Sequence, residues 1–267
     1  MRHCIIAFCL SFLIGPPAQA AQCGGDFDAF VNQISREATN AGVSPAIAAQ
    51  AFTRVSPDPA VLAFDRRQQG VFNKSFEYYA AIAVTRRRTE LGRKLLRKNA
   101  VLLSRIERDF GVPAPVIVAI WGLETHYGTR DLGDLPVIRT LATLAHDCRR
   151  TELFQSELLA ALQILQRGDL SLRDMIGGNA GEIGQTQFLP TSYLKYGVDY
   201  DKDGRVNLRR SVPDVLASTA NFLKANGWQK DVPFAEGTAN FEVMRTWNQA
   251  LLYRKAIVLL AERISEH

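Results

Sequence analysis

Residues 113–130 read PAPVIVAIWGLETHYGTR, and the fold assignment rests first on this segment. Prolines at positions 113 and 115 favour the start of a helix, and Gly128 predicts where that helix ends. The apolar side chains recur at the spacing of one helical face: Val116, Ala119, Ile120 and Leu123. Because such a face needs a partner surface, the segment predicts a helix packed against a core.

Glu124 lies one turn after Ile120, at the edge of this apolar face. An acid held against apolar side chains has its charged form disfavoured, so we expect its pKa to be raised. A carboxyl group that is still protonated near neutral pH can donate a proton to a leaving oxygen. The segment alone leaves a second interpretation open, in which Glu124 only forms an ion pair with a residue such as Arg130.

The helical spacing dominates the rest of the chain, and no run alternates with period two over more than a few residues. The sequence therefore predicts a mostly α protein, with at most a small hairpin near Val206 to Leu208. Further helices are predicted from Asp26 toward Gly42, from Ser44-Pro45 onward, and over 75–84, 89–110, 136–146, 151–167, 213–226 and 248–265. Since no Pro/Gly/Ser-rich linker divides the chain, we expect one unit, with a helical annex over about 21–110 and a core over about 111–267.

A glycine-rich segment at residues 177–193, GGNAGEIGQTQFLPTSY, allows the backbone to approach a ligand closely. Its two glutamines offer amide donors and acceptors that suit sugar hydroxyls and acetamido groups. The other interpretation is a tight loop that needs glycine for its turns, with Phe188 in the core.

The segment at residues 199–214, DYDKDGRVNLRRSVPD, begins like a calcium loop of the EF-hand type. Asp199, Asp201 and Asp203 alternate, and Gly204 permits the sharp turn. Arg210 stands at the twelfth position, where a bidentate Glu is expected, so Asp214 could close the site only in a longer loop. A plain acidic turn is the alternative.

The last segment is TWNQALLY at residues 246–253. Trp247 and Tyr253 bracket Asn248 at a predicted helix start, and an aromatic platform beside an amide suits a sugar ring. In isolation, a pair of core aromatic residues is the simpler interpretation.

The first twenty residues have the pattern of a secretory signal. Arg2 supplies a positive start, residues 4–14 are apolar, and Ala18-Gln19-Ala20 offers small residues at a cleavage position. The apolar stretch is shorter than the roughly 20 residues that span a bilayer, and no later run reaches that length. We therefore expect an exported protein without a transmembrane anchor, with a buried N-terminal helix as the alternative.

Two cysteines, Cys23 and Cys148, follow the signal. An even pair in an oxidising compartment predicts a disulfide that ties the mature N-terminus to the middle of the chain. Two free buried thiols are the alternative.

The 267 residues are 47% apolar and 22% charged, which is typical of a globular protein and excludes disordered and collagen-like classes. The net charge of +5 concentrates over residues 54–109, which hold 13 basic and 6 acidic side chains. No aromatic residue interleaves with the densest part at residues 86–98, so we predict no nucleic-acid partner. A solvated helix face is favoured over a surface for an anionic envelope polymer.

Taken together and in this order, the segments resemble the lytic murein transglycosylases of the B type, glycoside hydrolase family 103, with an SLT-2 type domain. The resemblance covers roughly residues 29–261. It is carried by WGLETHYG at 121–128, VIRTLATLAHDCRR at 137–150, AGEIGQTQFLPTSYLKYGVDYDKDGRVNL at 180–208, STANFLKANGW at 218–228 and TWNQALLY at 246–253.

The resemblance implies a lysozyme-like α-helical catalytic domain with minor β content. It also implies cleavage of the β-1,4 bond between N-acetylmuramic acid and N-acetylglucosamine, with formation of a 1,6-anhydromuramic end. The expected partner is the peptidoglycan glycan strand, the expected location is the periplasm, and a monomer is expected. No cofactor is expected for the chemistry. A structural calcium ion is expected at Asp199, Asp201, Asp203 and Asp214.

In this family pattern Glu124 matches the single catalytic acid, which first donates a proton and then accepts one. The positions that match substrate-binding residues are Thr125, Gln187, Phe188, Trp247, Asn248 and Tyr253. Three departures concern substrate contacts. The loop starts Gly178-Asn179-Ala180-Gly181 where the family often has Ser-Trp-Ala-Gly, Phe222 replaces a common Tyr, and Glu182 replaces a small apolar residue.

Two other functions remain open from the sequence. The first is a hydrolytic muramidase that uses Glu124 together with Glu182 as a second carboxylate. The second is a glycan-binding protein of the envelope without catalytic activity, in which Glu124→Gln would leave function intact.

Overall fold

The computed structural model describes residues 21–67 and 75–266, so the signal predicted over residues 1–20 lies outside the described residues. Within these ranges the chain forms thirteen helices and one pair of short strands. The helices are α1 Phe27–Asn40, α2 Pro45–Ala51, α3 Pro59–Arg67, α4 Phe76–Ala83, α5 Arg86–Lys98, α6 Ala100–Phe110, α7 Ala114–Thr125, α8 Val137–His146, α9 Thr151–Arg167, α10 Pro190–Tyr196, α11 Val212–Ala225, α12 Ala239–Trp247 and α13 Leu251–Ser265. The mostly α class is confirmed.

α7 lies at the centre of the fold and contacts α5, α6, α11 and α13. Every residue from Val116 to Gly122 is buried, whichever side of the helix it occupies. The sequence predicted one buried face for this segment, but the structure buries all sides of the helix. A helix that is apolar on all sides belongs inside the core. Glu124 lies near the end of α7, where the helix leaves the core, so its side chain is at the edge of the core.

The predicted helix starts near the N-terminus are confirmed. The Asp26 carboxylate accepts a hydrogen bond from the Ala29 amide at 2.7 Å, and the Ser44 hydroxyl accepts one from the Ile47 amide at 3.3 Å. These side chains satisfy backbone donors that have no partner within the first turn.

The single helix predicted over residues 89–110 is wrong, since α5 and α6 share this range. α5 begins at Arg86 because the Thr85 hydroxyl accepts the Arg88 amide at 3.3 Å. Asn99 leaves helical geometry with φ −104° and ψ 18°, and its side chain donates to the Leu95 carbonyl at 2.9 Å. A side-chain bond that competes with the backbone ladder accounts for the break.

Three short helices are not predicted from the spacing of apolar residues. α3 and α10 begin at Pro59 and Pro190, and α12 is capped by Thr238, whose hydroxyl accepts the Phe241 amide at 3.3 Å. Each is nine residues long or less, so its sequence holds too few turns for a clear periodicity.

The hairpin predicted near Val206 to Leu208 is wrong. The Val206 amide donates to the Asp169 carboxylate, and the Leu208 carbonyl accepts the Gln185 amide, so these backbone groups are used outside a ladder. The strands of the described residues are β1, Leu135–Pro136, and β2, Ile176–Gly177, which pair antiparallel. Isolated bridges extend this pairing from Gly177 to Ile183 and from Ile183 to Phe188.

The predicted disulfide between Cys23 and Cys148 is confirmed. It joins the start of the described chain to the turn between α8 and α9, and the Gly24 amide donates to the His146 carbonyl at 2.9 Å beside it. Among the described residues, no helix combines the length and the apolar composition needed to cross a bilayer. The division into annex and core near residue 110 stays a prediction.

Candidate active site

α7 ends in a reversal of the chain directly after Glu124, which is half-buried. His126, Tyr127 and Gly128 follow one another with φ values of 50°, 63° and 73°. A Cβ at Gly128 would lie 2.1 Å from the Gln185 side-chain oxygen, so only glycine fits this approach. The chain therefore turns back immediately after Glu124 and Thr125.

Gln185 joins the end of α7 to two loops. Its backbone carbonyl accepts the Thr125 hydroxyl at 2.5 Å, and its side-chain oxygen accepts the Trp121 indole N–H at 2.9 Å. Its amide nitrogen donates to the Arg209 carbonyl at 2.9 Å, and its backbone amide donates to the Leu208 carbonyl. This buried side chain therefore holds the segments at residues 177–193 and 199–214 against α7.

The Glu124 carboxylate receives two hydrogen bonds on one oxygen. Trp247 Nε1 donates to Oε1 at 2.9 Å, and the Tyr253 hydroxyl donates to the same Oε1 at 2.5 Å. Among the described residues the other oxygen, Oε2, accepts no hydrogen bond and Glu124 has no ion pair, so the pairing with Arg130 that the sequence left open is absent from the described structure. One face of the carboxyl group is thus fixed, and the other is available to a ligand.

Burial raises the pKa of Glu124 above its ordinary value. The hydrogen bonds from Tyr253 and Trp247 act against this rise because they stabilise the charged form, while the negative charge of Glu182 adds to it. Burial also raises the pKa of Tyr253, and the charge of Glu124 raises it further. The phenol therefore remains a hydrogen-bond donor to the carboxylate.

Three aromatic rings form a wall beside Glu124. The Trp247 ring meets Phe188 at 5.4 Å and Phe222 at 4.9 Å between centroids, and the Phe188 and Phe222 rings are 5.9 Å apart. The interplanar angles of 76°, 79° and 84° are edge-to-face contacts, which aromatic pairs favour. This packing orients the indole N–H toward Glu124.

A groove of two connected cavities passes this wall. The inner cavity, about 480 Å³, is lined by Glu124, Trp247 and Phe222, and the outer one is about 800 Å³. Five residues line both cavities: Asp131, Arg150, Ala180, Glu182 and Gln187. The groove is therefore long enough for an extended ligand rather than a single small molecule.

The structure brings most of the predicted site residues together. Gln187, Phe188, Trp247 and Asn248 line the inner cavity beside Glu124. Tyr253 lies behind Glu124 and bonds to it. Their roles toward a substrate stay predictions.

Thr125 is not brought to the groove. Its side chain is fully buried and is used by Gln185 and by the Gly128 amide, which donates to its hydroxyl at 2.9 Å. Asn248 lines the groove, but its side-chain oxygen accepts the Ala250 amide at 2.9 Å. That bond delays the start of α13 from the predicted residue 248 to Leu251.

Two further residues that line the groove, Arg150 and Asp131, were not predicted from the sequence. Arg150 pairs with the Asp65 carboxylate, which also accepts Arg149 at 2.7 Å. The adjacent arginines at positions 149 and 150 are visible in the sequence as a possible charged site. Their partner Asp65 on α3 is distant in sequence, so only the fold shows the ion pairs.

Asp199, Asp201 and Asp203 lie together in the acidic loop, with one carboxylate oxygen of each within 4.8 Å of the others. Asp214 has a different place. Its carboxylate is fully buried and accepts the amides of Tyr200 and Asn207, both at 2.8 Å. It shapes the loop, and its role as a metal ligand stays a prediction.

Comparisons with known proteins identify the family of this chain. The family model described as "Transglycosylase SLT domain" matches residues 26–238. The membrane-bound lytic murein transglycosylase B of Escherichia coli K12 is 31% identical over 232 residues, which are 82% of this chain and 63% of that protein. The chain thus spans less than two thirds of this curated relative.

Solved structures share the fold. SltB3 from Pseudomonas aeruginosa, in complex with NAG-anhNAM-pentapeptide, superposes with a TM-score of 0.84 at 32% identity, over 91% of this chain and 80% of that chain. The E. coli lytic transglycosylase Slt35 in complex with calcium superposes with a TM-score of 0.79 at 23% identity, over 95% and 98% of the two chains. The second likeness is evidence of the fold alone.

Proposed function

This chain belongs to the Transglycosylase SLT domain family, and from that premise we propose that it is a lytic transglycosylase of peptidoglycan. The bond cleaved is the β-1,4 bond between N-acetylmuramic acid and N-acetylglucosamine, and the product carries a 1,6-anhydro end. The complex of SltB3 with NAG-anhNAM-pentapeptide supports the substrate class, since that relative is 32% identical over most of this chain.

One observation carries the proposal: Glu124 is held at the groove by two donors on Oε1, with Oε2 free of hydrogen bonds to the described residues. Burial raises the pKa of this carboxyl group, so a protonated acid is available closer to neutral pH than for an exposed Glu. This is the state that a general acid needs before it donates to a leaving oxygen.

Glu124 performs both proton transfers of the reaction. As the acid it protonates the glycosidic oxygen, and the bond from that oxygen to the anomeric carbon of the muramic acid breaks. The substrate's own acetamido group stabilises the cationic carbon. The Glu124 carboxylate then takes the proton of the C6 hydroxyl, whose oxygen bonds to the anomeric carbon and closes the anhydro ring. Glu124 ends protonated, as it began, and no water is consumed.

The neighbouring residues hold the groups in place. Tyr253 and Trp247 bond to Glu124 and stabilise its carboxylate between the two proton transfers. Gln187, Phe188 and Asn248 line the groove where the glycan would lie. Because the C6 hydroxyl must be held against the anomeric carbon, positioning of the sugar contributes much of the rate.

The mass of the released products tests this reaction. Purified sacculi digested with the protein should yield muropeptides with anhydro ends, which lack one water relative to reducing ends. A digest made only of reducing ends would contradict the proposal.

The muramidase alternative has one supporting observation, because Glu182 lines the same inner cavity as Glu124. A hydrolase would use this second carboxylate to activate a water. The same product masses decide between the two reactions.

We also propose that the acidic loop binds a structural calcium ion through Asp199, Asp201 and Asp203. The residues fit such an ion, since calcium prefers carboxylate oxygens and these three lie close together with no ion pair to a Lys or Arg in the described part of the chain. The bound ion would neutralise their mutual repulsion and hold the loop. It has no part in the proton transfers.

Thermal unfolding tests the calcium proposal. Millimolar calcium should raise the melting temperature and a chelator should lower it, because a ligand of the folded state stabilises that state. Asp201→Asn should weaken this response, and Asp231→Asn, in an exposed turn elsewhere, should not. An identical melting temperature with calcium and with chelator would contradict the proposal.

We place the protein in the periplasm, exported by the signal predicted over residues 1–20, and expect a monomer there. Fractionation of the native host and size-exclusion chromatography of the mature chain check these two expectations.

A further inference from the structure

Glu182 occupies a fixed place at the groove. It closes a tight turn in which the Gly178 amide donates to the Glu182 carbonyl at 2.9 Å. Its carboxylate folds back over the turn, and Oε2 accepts the Ala180 amide at 2.9 Å. The next residue, Ile183, is held by bridges to Gly177 and Phe188. Backbone and side chain are therefore both anchored.

The turn is built to admit this carboxylate. A Cβ at Gly178 would lie 2.5 Å from Glu182 Oε2 and 3.1 Å from the Gln187 side-chain oxygen. Because Gly178 has no side chain, the Glu182 and Gln187 side chains both fit next to it at the groove. Glu182 lines both cavities of the groove, and its Oε1 accepts no hydrogen bond among the described residues.

The charge of Glu182 is not neutralised by a neighbour. Arg150 lines the same two cavities, but it is engaged by Asp65, and no ion pair of Glu182 within 4.0 Å occurs in the described ranges. The remaining charged group that lines both cavities is Asp131, also an acid. Beside Glu124, the charged side chains that line the inner cavity are thus two acids, Asp131 and Glu182, and one base, Arg150.

We propose that Glu182 is a positioning residue of the reaction: its anchored carboxylate, with one oxygen unpaired among the described residues, supplies a fixed negative charge to the cavity that contains Glu124, and this charge acts on Glu124 before cleavage and on the muramic acid ring as positive charge develops there. The inference rests on the proposed function. Glu182 neither gives nor takes a proton, and no bond forms to it. This role differs from that of a hydrolytic base, which would activate a water.

The other groups around Glu124 also influence the protonation of its carboxyl group. From α13, Tyr253 lowers the pKa of Glu124 by a hydrogen bond, whereas the charge of Glu182 raises it. On α4, burial raises the pKa of Tyr79, the charge of Glu124 raises it further, and the charge of Arg88 on α5 lowers it. Toward the inner cavity α11 presents the uncharged Phe222. Glu182 is thus the groove side chain whose charge opposes ionisation of Glu124.

The test is the pH profile of Glu182→Gln. Glutamine keeps an oxygen for the Ala180 amide but removes the charge, so the turn is preserved. The alkaline limb of kcat/KM should move to lower pH, because Glu124 loses its proton more easily. We expect kcat at neutral pH to fall by roughly threefold to tenfold, as for the loss of one partly screened charge. The products should keep their anhydro ends.

Two further variants separate charge from shape. Glu182→Asp keeps the charge and should leave the alkaline limb near the wild-type position. Glu90→Gln removes an exposed charge on α5, outside the groove, and should change neither kcat nor the limb.

The inference would be overturned if the alkaline limb of kcat/KM stayed at the wild-type pH in Glu182→Gln. It would also be overturned if this limb moved equally in Glu182→Asp and Glu182→Gln. Reducing ends in the wild-type digest that disappear in Glu182→Gln would assign Glu182 to hydrolysis instead. Failure of the proposed function itself is distinguishable, because wild type would then release no anhydro products at any pH.

Discussion

Glu124 is balanced between groups that act in opposite directions. Burial and the charge of Glu182 favour its protonated form, while the hydrogen bonds from Tyr253 and Trp247 favour its carboxylate. A residue that must first donate and then accept a proton needs both states within reach, since efficient acid–base catalysis matches the pKa to the operating pH. The opposing contacts provide this balance.

Removal of the Tyr253 hydroxyl should shift the balance in a defined direction. In Tyr253→Phe, Glu124 loses a bond that stabilises its carboxylate, so its pKa should rise further and the alkaline limb of kcat/KM should move to higher pH. This direction is opposite to that of Glu182→Gln. We expect kcat to fall by roughly tenfold or more, the usual effect of losing a hydrogen bond to a charged group.

Tyr200→Phe is a matched control for this measurement. The Tyr200 hydroxyl donates to the exposed Asp109 carboxylate at 2.7 Å, and Tyr200 does not line the groove. Its pH profile should equal that of wild type. A shift of the Tyr253→Phe limb to lower pH would contradict the assignment of the limb to Glu124.

The sequence predicts the identity of the central side chains better than their directions. Glu124, Gln187 and Phe188 follow from the quoted segments, and the structure places all three at the inner cavity. Thr125 stands next to Glu124, yet it points into the core. Neighbours on a helix differ by about 100° in direction, and only the packing around α7 decides which of them reaches the groove.

The junction between α7 and the glycine-rich loop depends on one hydroxyl. Thr125 donates to the Gln185 carbonyl and accepts the Gly128 amide, so a single side chain joins the end of the helix to the loop and to its own turn. Both partners are left without a bond if this hydroxyl is lost. Unpaired buried polar groups are costly because water cannot replace the missing partner.

Thr125→Val should therefore lower the free energy of unfolding by about 1–3 kcal/mol per unpaired group. Thr129→Val is the matched control, because the Thr129 hydroxyl is exposed and, within the described ranges, bonds only to the His126 carbonyl. That change should stay within about 0.5 kcal/mol. Urea unfolding of the two variants measures both values, and equal losses would show that the Thr125 bonds contribute nothing specific.

The helices were predictable where the pattern was long, and the errors have identifiable causes. α9 and α13 span several turns and were expected, whereas α3, α10 and α12 are short. The break at Asn99 arises because its side chain bonds to the Leu95 carbonyl. The spacing of apolar residues gives no indication of such a bond. The strand pair joins segments far apart in sequence, so a local pattern could not locate it.

Across the molecule, the disulfide ties together parts that also build the groove. Cys148 lies two residues before Arg150, which lines both cavities and pairs with Asp65 of α3. The bridge spans a separation of 125 residues, from the start of the described chain to this turn. It therefore restrains the unfolded chain strongly and fixes the turn that presents Arg150.

Loss of this bridge should destabilise the fold. Cys23→Ser/Cys148→Ser should reduce the free energy of unfolding by about 2–5 kcal/mol, the usual range for a native disulfide. Calorimetry of the double variant, and of wild type with and without reductant, measures the effect. Equal melting temperatures for wild type with and without reductant would contradict it.

The most direct test of the central claim compares the digestion of purified sacculi by wild type and by Glu124→Gln. Glutamine keeps the size of the side chain but cannot exchange the proton, so release of anhydro-muropeptides should fall by roughly 10²- to 10⁴-fold, the usual contribution of a general acid and base. Sedimentation with sacculi should show that the variant still binds. Equal release of anhydro products by both proteins would contradict the assignment of Glu124.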